Sequence, residues 1–227
     1  MKTKDKLIQI LMLMILAFGC NEGDDCNYSS PCVPGCNTVQ DFEQSDGNWS
    51  SINGTDTVVL DQETNALFAQ DLSGASFIYN DDDFPQNLIL AGCALVYDVK
   101  YSAGQNNQTT ASNSLWIYEG LSPASSTVYA TFVLNAGNLI NTGTSYLTIE
   151  VILELATGQY LPANTFGEWR MNNSNGPHSS AVISQFNNLI QGNFSGGTGG
   201  LAFFLDNGSN PVEQWWYDNF CFKQCCD

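Results

Sequence analysis

Near the end of the 227-residue chain runs Glu213-Gln214-Trp215-Trp216-Tyr217-Asp218-Asn219-Phe220-Cys221-Phe222, a strand-like run with a carboxylate among apolar side chains. Such a carboxylate needs either a bound cation or a rigid set of hydrogen bonds, because burying an uncompensated charge is costly. Without a cation, Asp218 would accept the backbone amides of a neighbouring loop, with Asn219 as its helper. Aromatic residues are the second group with chemistry to offer. They stack on sugar rings through apolar C–H faces, while Asn, Gln and Asp bond the hydroxyls. Trp116 with Tyr118, Trp169 with Arg170, and Trp215-Trp216-Tyr217 are the places where this could happen. In an extended strand Trp215 and Tyr217 share one face and Trp216 takes the other, so some of these rings must be core. Trp169 with Arg170, near two polar loops, is the preferred ligand pair; Trp116 and Trp216 are the other expected contacts.

Catalytic groups are sparse. The single histidine, His178, stands in Asn-Gly-Pro-His-Ser-Ser and reads as a loop residue. There is no Gly-x-Ser-x-Gly elbow and no glycine-rich phosphate loop. Glu150 and Glu154 share a strand face about 13 Å apart, too far for a glycosidase pair. Glu168 has no second acid at a recognisable spacing. Asp81-Asp82-Asp83 lacks the spacing of an EF-hand loop and reads as an exposed acidic turn. An enzyme is therefore not expected, and a glycan hydrolase or lyase would have to rest on Glu168.

The net charge of the chain is -17, and only Lys100, Arg170 and Lys223 are basic beyond Lys6. That excludes nucleic acid as a partner, because phosphate backbones would be repelled. It favours solubility and binding of divalent cations. Cysteine use points to an oxidising compartment. Cys20 aside, Cys26, Cys32 and Cys36 cluster near the start and Cys221, Cys225 and Cys226 at the end, with Cys93 alone between them. Three against three predicts that the termini are stapled together, with the connectivity open. Cys93 is expected to be the odd one, a small buried hydrophobe.

Short strands separated by turn residues predict an all-β sandwich or jelly roll with one short helix. The strands are expected within Val39–Trp49 (around Asp41-Phe42-Glu43), 57–60, 66–70, 77–79, 88–101, 115–119, 128–134, 145–156, 167–171, 201–205 and 215–222. Val182, Phe186, Leu189 and Ile190 recur at helical spacing and predict the helix within 179–191.

Lys2, Lys4 and Lys6 precede a short apolar run, Leu7 to Phe18, which is the pattern of a signal peptide over residues 1–19. Leu16-Ala17-Phe18-Gly19-Cys20 resembles a bacterial lipobox, departing from it at Phe18. The resemblance implies cleavage before Cys20 and a lipid anchor on that cysteine. Asn21-Glu22-Gly23-Asp24-Asp25 resembles the surface-export signal of Bacteroidetes lipoproteins, and implies an outer-membrane lipoprotein displayed at the surface. Asp56-Thr57-Val58 resembles a Bacteroidetes O-glycosylation triplet. Residues 20–38 then read as a cysteine-rich tether and 39–227 as the domain.

The order of motifs in the domain carries a further resemblance. Asp41-Phe42-Glu43 with Gly47 and Trp49, Phe84 before Leu95-Val96-Tyr97-Asp98-Val99, Trp169, Phe186-Asn187-Asn188-Leu189 and the closing Tyr217-Asp218-Asn219-Phe220 look like the laminin IV type A (laminin B) domain and its relatives among galactose-binding-like and carbohydrate-binding jelly rolls. That group is largely non-catalytic. In many of its members a structural calcium ion ties the first strand to the last; the matching residues here are Glu43 and Asp218, with Asp41 as a lesser candidate. Calcium takes six to eight oxygen ligands. The expected function is a lipid-anchored binding module for glycan or another extracellular polymer. The alternative is a structural or adhesion lipoprotein that contacts surface proteins.

Overall fold

Alternation of apolar and polar residues builds two antiparallel sheets, each with one face turned to a shared core. The computed structural model describes residues 35–52, 57–72, 76–103, 114–138, 143, 145–205 and 213–224. Sheet A contains β1 (Cys36–Gln40), β3 (Thr57–Asp61), β4 (Ala66–Asp71), β6 (Ala94–Ala103), β9 (Leu147–Ile152) and β12 (Glu213–Lys223). Its order is β3-β4-β12-β6-β9, and β1 also pairs with β12. Sheet B contains β2 (Ser50–Ser51), β5 (Ser76–Asn80), β7 (Leu115–Glu119), β8 (Tyr129–Leu134), β10 (Gly167–Met171) and β11 (Gly199–Leu205), in the order β10-β8-β7-β11-β5-β2. Most connections cross from one sheet to the other, and the two sheets form a jelly-roll β-sandwich, as the short strands separated by turn residues predicted.

The strand that closes the chain is the hub of sheet A. β12 pairs with β4 through Glu213–Tyr217, with β6 along its length and with β1 at its end. Trp215 and Tyr217 point into the core, but Phe220 and Phe222 do so as well, which simple alternation forbids. A bulge between Asp218 and Cys221 resolves this: Asn219, at φ 54°, is the extra residue that resets the phase. Asp218, before the bulge and in phase with Trp216, lies on the outer face, half-buried, and not in an apolar interior.

Phe220 is the centre of an aromatic core. Its ring lies 5.9 Å from Phe42, 5.7 Å from Trp49, 5.7 Å from Phe84 and 5.4 Å from Tyr97. Phe203 of sheet B stacks on Tyr217 at 4.5 Å, so rings from both sheets interlock. Aromatic pairs in these offset and edge geometries add to the stability that burial itself provides.

Four expectations about elements change. Asp41-Phe42-Glu43 is not a strand: β1 ends at Gln40, and Phe42, at φ 54°, turns the chain so that its ring enters the core. β1 begins at Cys36, so the sheet takes in the last residues of the predicted tether. Leu88 does not begin the next strand. Leu88–Ala91 forms a short helix, α1, capped by the Asn87 side chain accepting the Leu90 N–H. A short apolar run does not discriminate strand from helix, and here a cap and Gly92 decide. The Gly92 backbone lies so close to β12 that a Cβ there would be 2.5 Å from the Lys223 carbonyl oxygen. The predicted strand over 145–156 pairs only through Leu147–Ile152. The expected helix is present as α2 (Ser180–Ile190), capped by Ser179, with Phe186, Leu189 and Ile190 buried.

Cys36 and Cys221 form a disulfide with Cα atoms 5.4 Å apart, joining the N-terminal cysteine cluster to the C-terminal one. Cys93 is disulfide-bonded and is not the odd thiol that the sequence suggested. Its backbone N–H donates to the Lys223 carbonyl at 3.0 Å, beside the end of β12. Cys20, Cys26, Cys32, Cys225 and Cys226, like the signal peptide and Asp56, lie outside the described residues. Among the described residues no helix is long and apolar enough to cross a membrane.

Candidate functional site

The pairing of β3, β4, β12 and β6 sorts the outward side chains of sheet A into rows. The first row is Thr57, Gln70, Gln214 and Ser102, all neutral and polar. The second is Val59, Phe68, Trp216 and Lys100. The third contains Asp61 on β3, Asp218 on β12, Asp98 on β6 and Thr148 on β9. Four strands at ~4.8 Å spacing make the first two rows about 14 Å long, and the fifth strand extends the third to about 19 Å. These side chains are half-buried or exposed, as on a sheet face that no described residue covers.

Trp216 organises the middle row. Its indole N–H donates to Asp61 Oδ2 at 2.9 Å, so the ring reaches across β4 to β3. Ala66 faces outward on β4 yet is fully buried, and its small side chain makes room for that crossing. Phe68 packs against the indole with centroids 5.2 Å apart. The Lys100 ammonium lies 4.1 Å from the Trp216 ring centroid and 5.2 Å from that of Tyr146. Asp61 loses solvent, which raises its pKa, but hydrogen bonds from Glu63, Thr64 and Trp216 outweigh this and leave it lowered.

In the third row, Asp98 and Asp218 face each other directly across β6 and β12. Asp98 accepts from Thr148 Oγ1 at 2.5 Å and from Asn219 Nδ2 at 2.9 Å. Asp218 accepts the Asn219 backbone N–H at 2.7 Å. Glu43 accepts from Asn65 Nδ2 at 3.3 Å. Burial raises the Asp218 pKa, and the charges of Asp98, Asp41 and Glu43 add to the rise. The turn after β1 thus brings Asp41 and Glu43 within electrostatic reach of Asp218, together with Asp98, which the sequence reading did not include. Among the described residues no group of three or more His, Cys, Asp or Glu side chains is arranged to hold a metal ion.

The sign of the Asp218 shift makes a prediction. Folding raises this pKa above 3.8, so its contribution to stability is present below pH 3.8 and is lost as pH rises through the folded-state value. Asp218→Asn should therefore raise the melting temperature at pH 7 in the presence of chelator and leave it unchanged at pH 3. A lowered melting temperature at pH 7 in chelator would contradict the shift.

The other expected ligand residues are placed differently. Trp169 is 2% exposed; its indole N–H donates to the Ile152 carbonyl at 2.7 Å, and its ring packs on Phe132 and Phe186. It is a core residue and cannot serve as a ligand platform. Its neighbour Arg170 points outward from sheet B, bound to Glu168 at 2.7 Å. Trp116 shares that outer face, in one row with Thr131 and Arg170. It is only 9% exposed, stacked by Tyr129 at 4.2 Å and edged by Phe77 at 4.8 Å. Trp116 is therefore the base of a small secondary aromatic cluster, its ring faces taken by its own neighbours. Tyr118 in the same cluster is fully buried, which raises its pKa. Of the expected ligand aromatics, Trp216 stands on the open face.

The acidic turn also has a structural role. Asp83 accepts from Gln40 at 2.7 Å, Asn48 at 2.9 Å and Asn80 at 3.0 Å. Both amide orientations are fixed from behind: Trp49 Nε1 donates to Gln40 Oε1, and the Asp82 and Asp83 amides donate to Asn80 Oδ1. This knot ties the N-terminal turn to the β5–α1 loop. Elsewhere, Glu150 pairs with Lys223 at 2.8 Å, and His178 lines a polar groove beside α2 with Gln159, Ser184 and Asn188.

No protein-family model matches the chain, and no curated protein matches it in sequence. Solved structures similar to it include the family 11 carbohydrate-binding module of a cellulosomal cellulase of Clostridium thermocellum, at 14% identity and TM-score 0.48, covering 86% of this chain and 98% of that one. A family 11 module from the same organism, in complex with a β-1,3-1,4-mixed-linked tetrasaccharide, matches at 13% identity and TM-score 0.49 over 86% of this chain and 99% of that one. The L4b domain of human laminin α-2 matches at 11% identity and TM-score 0.44, over 79% and 98%.

Proposed function

We propose that the outer face of the β3-β4-β12-β6-β9 sheet binds a glycan chain without transforming it. The observation that carries this reading is the row order: an aromatic row centred on Trp216 runs between a row of neutral hydroxyls and amides and a row of carboxylates, on an open face. A sugar ring offers apolar C–H faces to the indole and hydroxyls to the flanking rows. A binding site built on paired strands is also rigid, so little ordering cost opposes binding. The test is affinity electrophoresis or calorimetry against a panel of polysaccharides. Trp216→Ala should weaken binding at least tenfold, while Trp116→Phe, in the covered cluster, should leave it within about twofold. Binding that survives Trp216→Ala would contradict this placement. Binding to no glycan, together with a stable co-purifying protein, would favour the adhesion reading.

Calcium at the Asp218 end belongs to the same proposal. Its support is the placing of Asp98 directly across from Asp218, with Asp41 and Glu43 within electrostatic reach: hard oxygen donors around a carboxyl whose pKa burial raises and these like charges raise further. Calcium should then raise the melting temperature relative to chelator, and Asp218→Asn should abolish that difference. An unchanged melting temperature would remove the ion from the account. Lipid anchoring at Cys20 and display at the outer-membrane surface complete the proposal, supported by the leader residues. Cys20→Ser should release the protein from the membrane fraction; retention there would oppose the anchor.

A further inference from the structure

The charges on and around the proposed face point to the class of glycan it takes. Beyond Lys6 the chain has three cationic side chains, and each is already engaged. Arg170 is bound to Glu168 on sheet B, and Lys223 to Glu150 near the end of β12. Lys100, the one cation among the described residues on the Trp216 face, has its ammonium between the Trp216 and Tyr146 rings. Against that single charge stand Asp61, Asp98 and Asp218 in the adjoining row, with Asp41 and Glu43 acting on Asp218 from the N-terminal turn. A uronate or sulfate group stacked on this face would meet net negative charge and find no uncommitted cation to receive it.

We infer that, with no calcium at its Asp218 end, the face selects uncharged glycans and rejects acidic ones, with Asp98 and Asp218 as the rejecting residues and Lys100 held on the indole as a fixed part of the platform. This rests on the reading that the Trp216 face is the glycan site. A hydroxyl can donate to Asp98 or Asp218, whereas a carboxylate or sulfate oxygen can only be repelled. Rejection by charge is a specificity device distinct from the attraction that stacking supplies. Because the face is open, the repulsion is screened by salt over a Debye length of about 10 Å at 0.1 M.

The experiment uses matched polymers that differ only in charge: neutral glucans, mannans and xylans, and the same backbones carboxymethylated. The full-length mature protein is titrated with each at low and high salt in the presence of chelator, so that no divalent cation neutralises Asp98 and Asp218. At least one neutral polymer should bind through Trp216, and its carboxymethylated form should bind at least tenfold more weakly at low salt. That gap should narrow at high salt, and narrow again in the Asp98→Asn/Asp218→Asn variant. Glu154→Gln, an exposed acid outside the site, removes one charge as a control and should not narrow it. Equal or tighter binding of an acidic polymer, lost in Trp216→Ala, would overturn the charge selection and leave the site standing. A gap that Glu154→Gln narrows as much as the double variant would overturn the assignment to Asp98 and Asp218. No binding of any polymer, neutral or acidic, would overturn the glycan site and this inference with it.

Discussion

Phe220→Ala is expected to destabilise the domain by about 3–5 kcal/mol, the range for deleting a large buried aromatic. The ring is fully buried and lies within 6.0 Å of Phe42, Trp49, Phe84, Tyr97 and Phe203, which come from both sheets and from the N-terminal turn. Few of these neighbours can collapse into the gap, because Trp49 is also held through its N–H by Gln40. Urea denaturation of the variant measures the loss. A loss below about 1 kcal/mol would mean that the site relaxes as an exposed position does. Phe220→Leu, which keeps most of the volume, should recover a large part of the difference.

The second large effect concerns the Cys36–Cys221 disulfide, which joins residues 185 apart in the sequence. A cross-link over so long a segment restricts the unfolded chain strongly, and losing it should cost roughly 2–5 kcal/mol. Cys36→Ser with Cys221→Ser isolates this bond, whereas reductant would also cleave the one at Cys93. The double variant should melt at a lower temperature in oxidising buffer. β1 is affected most directly, because its pairing with β12 spans only Cys36–Gln40. Hydrogen exchange should therefore speed up there before it does in the β12–β6 ladder. Unchanged exchange across β1 would mean that the ladder holds without the bond.

The sandwich was legible because its signals are local. Short apolar runs at 115–119, 128–134 and 215–222, turn residues between runs, and helical spacing at Val182, Phe186, Leu189 and Ile190 each speak for one element alone. The stapling of the termini was also visible, as cysteine clusters at both ends. The site was only partly legible, because it is a product of register. Trp216, Phe68 and Lys100 become neighbours through two strand pairings between segments far apart in the chain. No single-strand pattern reveals which residue stands opposite which. The two faces of a strand are likewise equivalent until the packing partner is known. Trp169 looked accessible beside polar loops, but it faces Phe132 and Phe186. The Asn219 bulge was hidden as well; it turns Phe220 and Phe222 inward, onto the face of Trp215 and Tyr217, while Asp218 before it stays outward. Cys93 resembled a small core residue because nothing in its neighbourhood in sequence brings another cysteine near.

The central claim is that the Trp216 face, and not the Trp116 cluster or the groove beside α2, is where glycan binds. Chemical-shift mapping tests it most directly, using isotope-labelled protein titrated with a neutral oligosaccharide of the polymer that binds best. The account predicts the largest shifts at the Trp216 indole N–H and at Phe68, Lys100, Gln70 and Gln214, all absent in Trp216→Ala. Shifts centred on Trp116, Tyr129 and Phe204, or on Ser184 and Asn188, would contradict it.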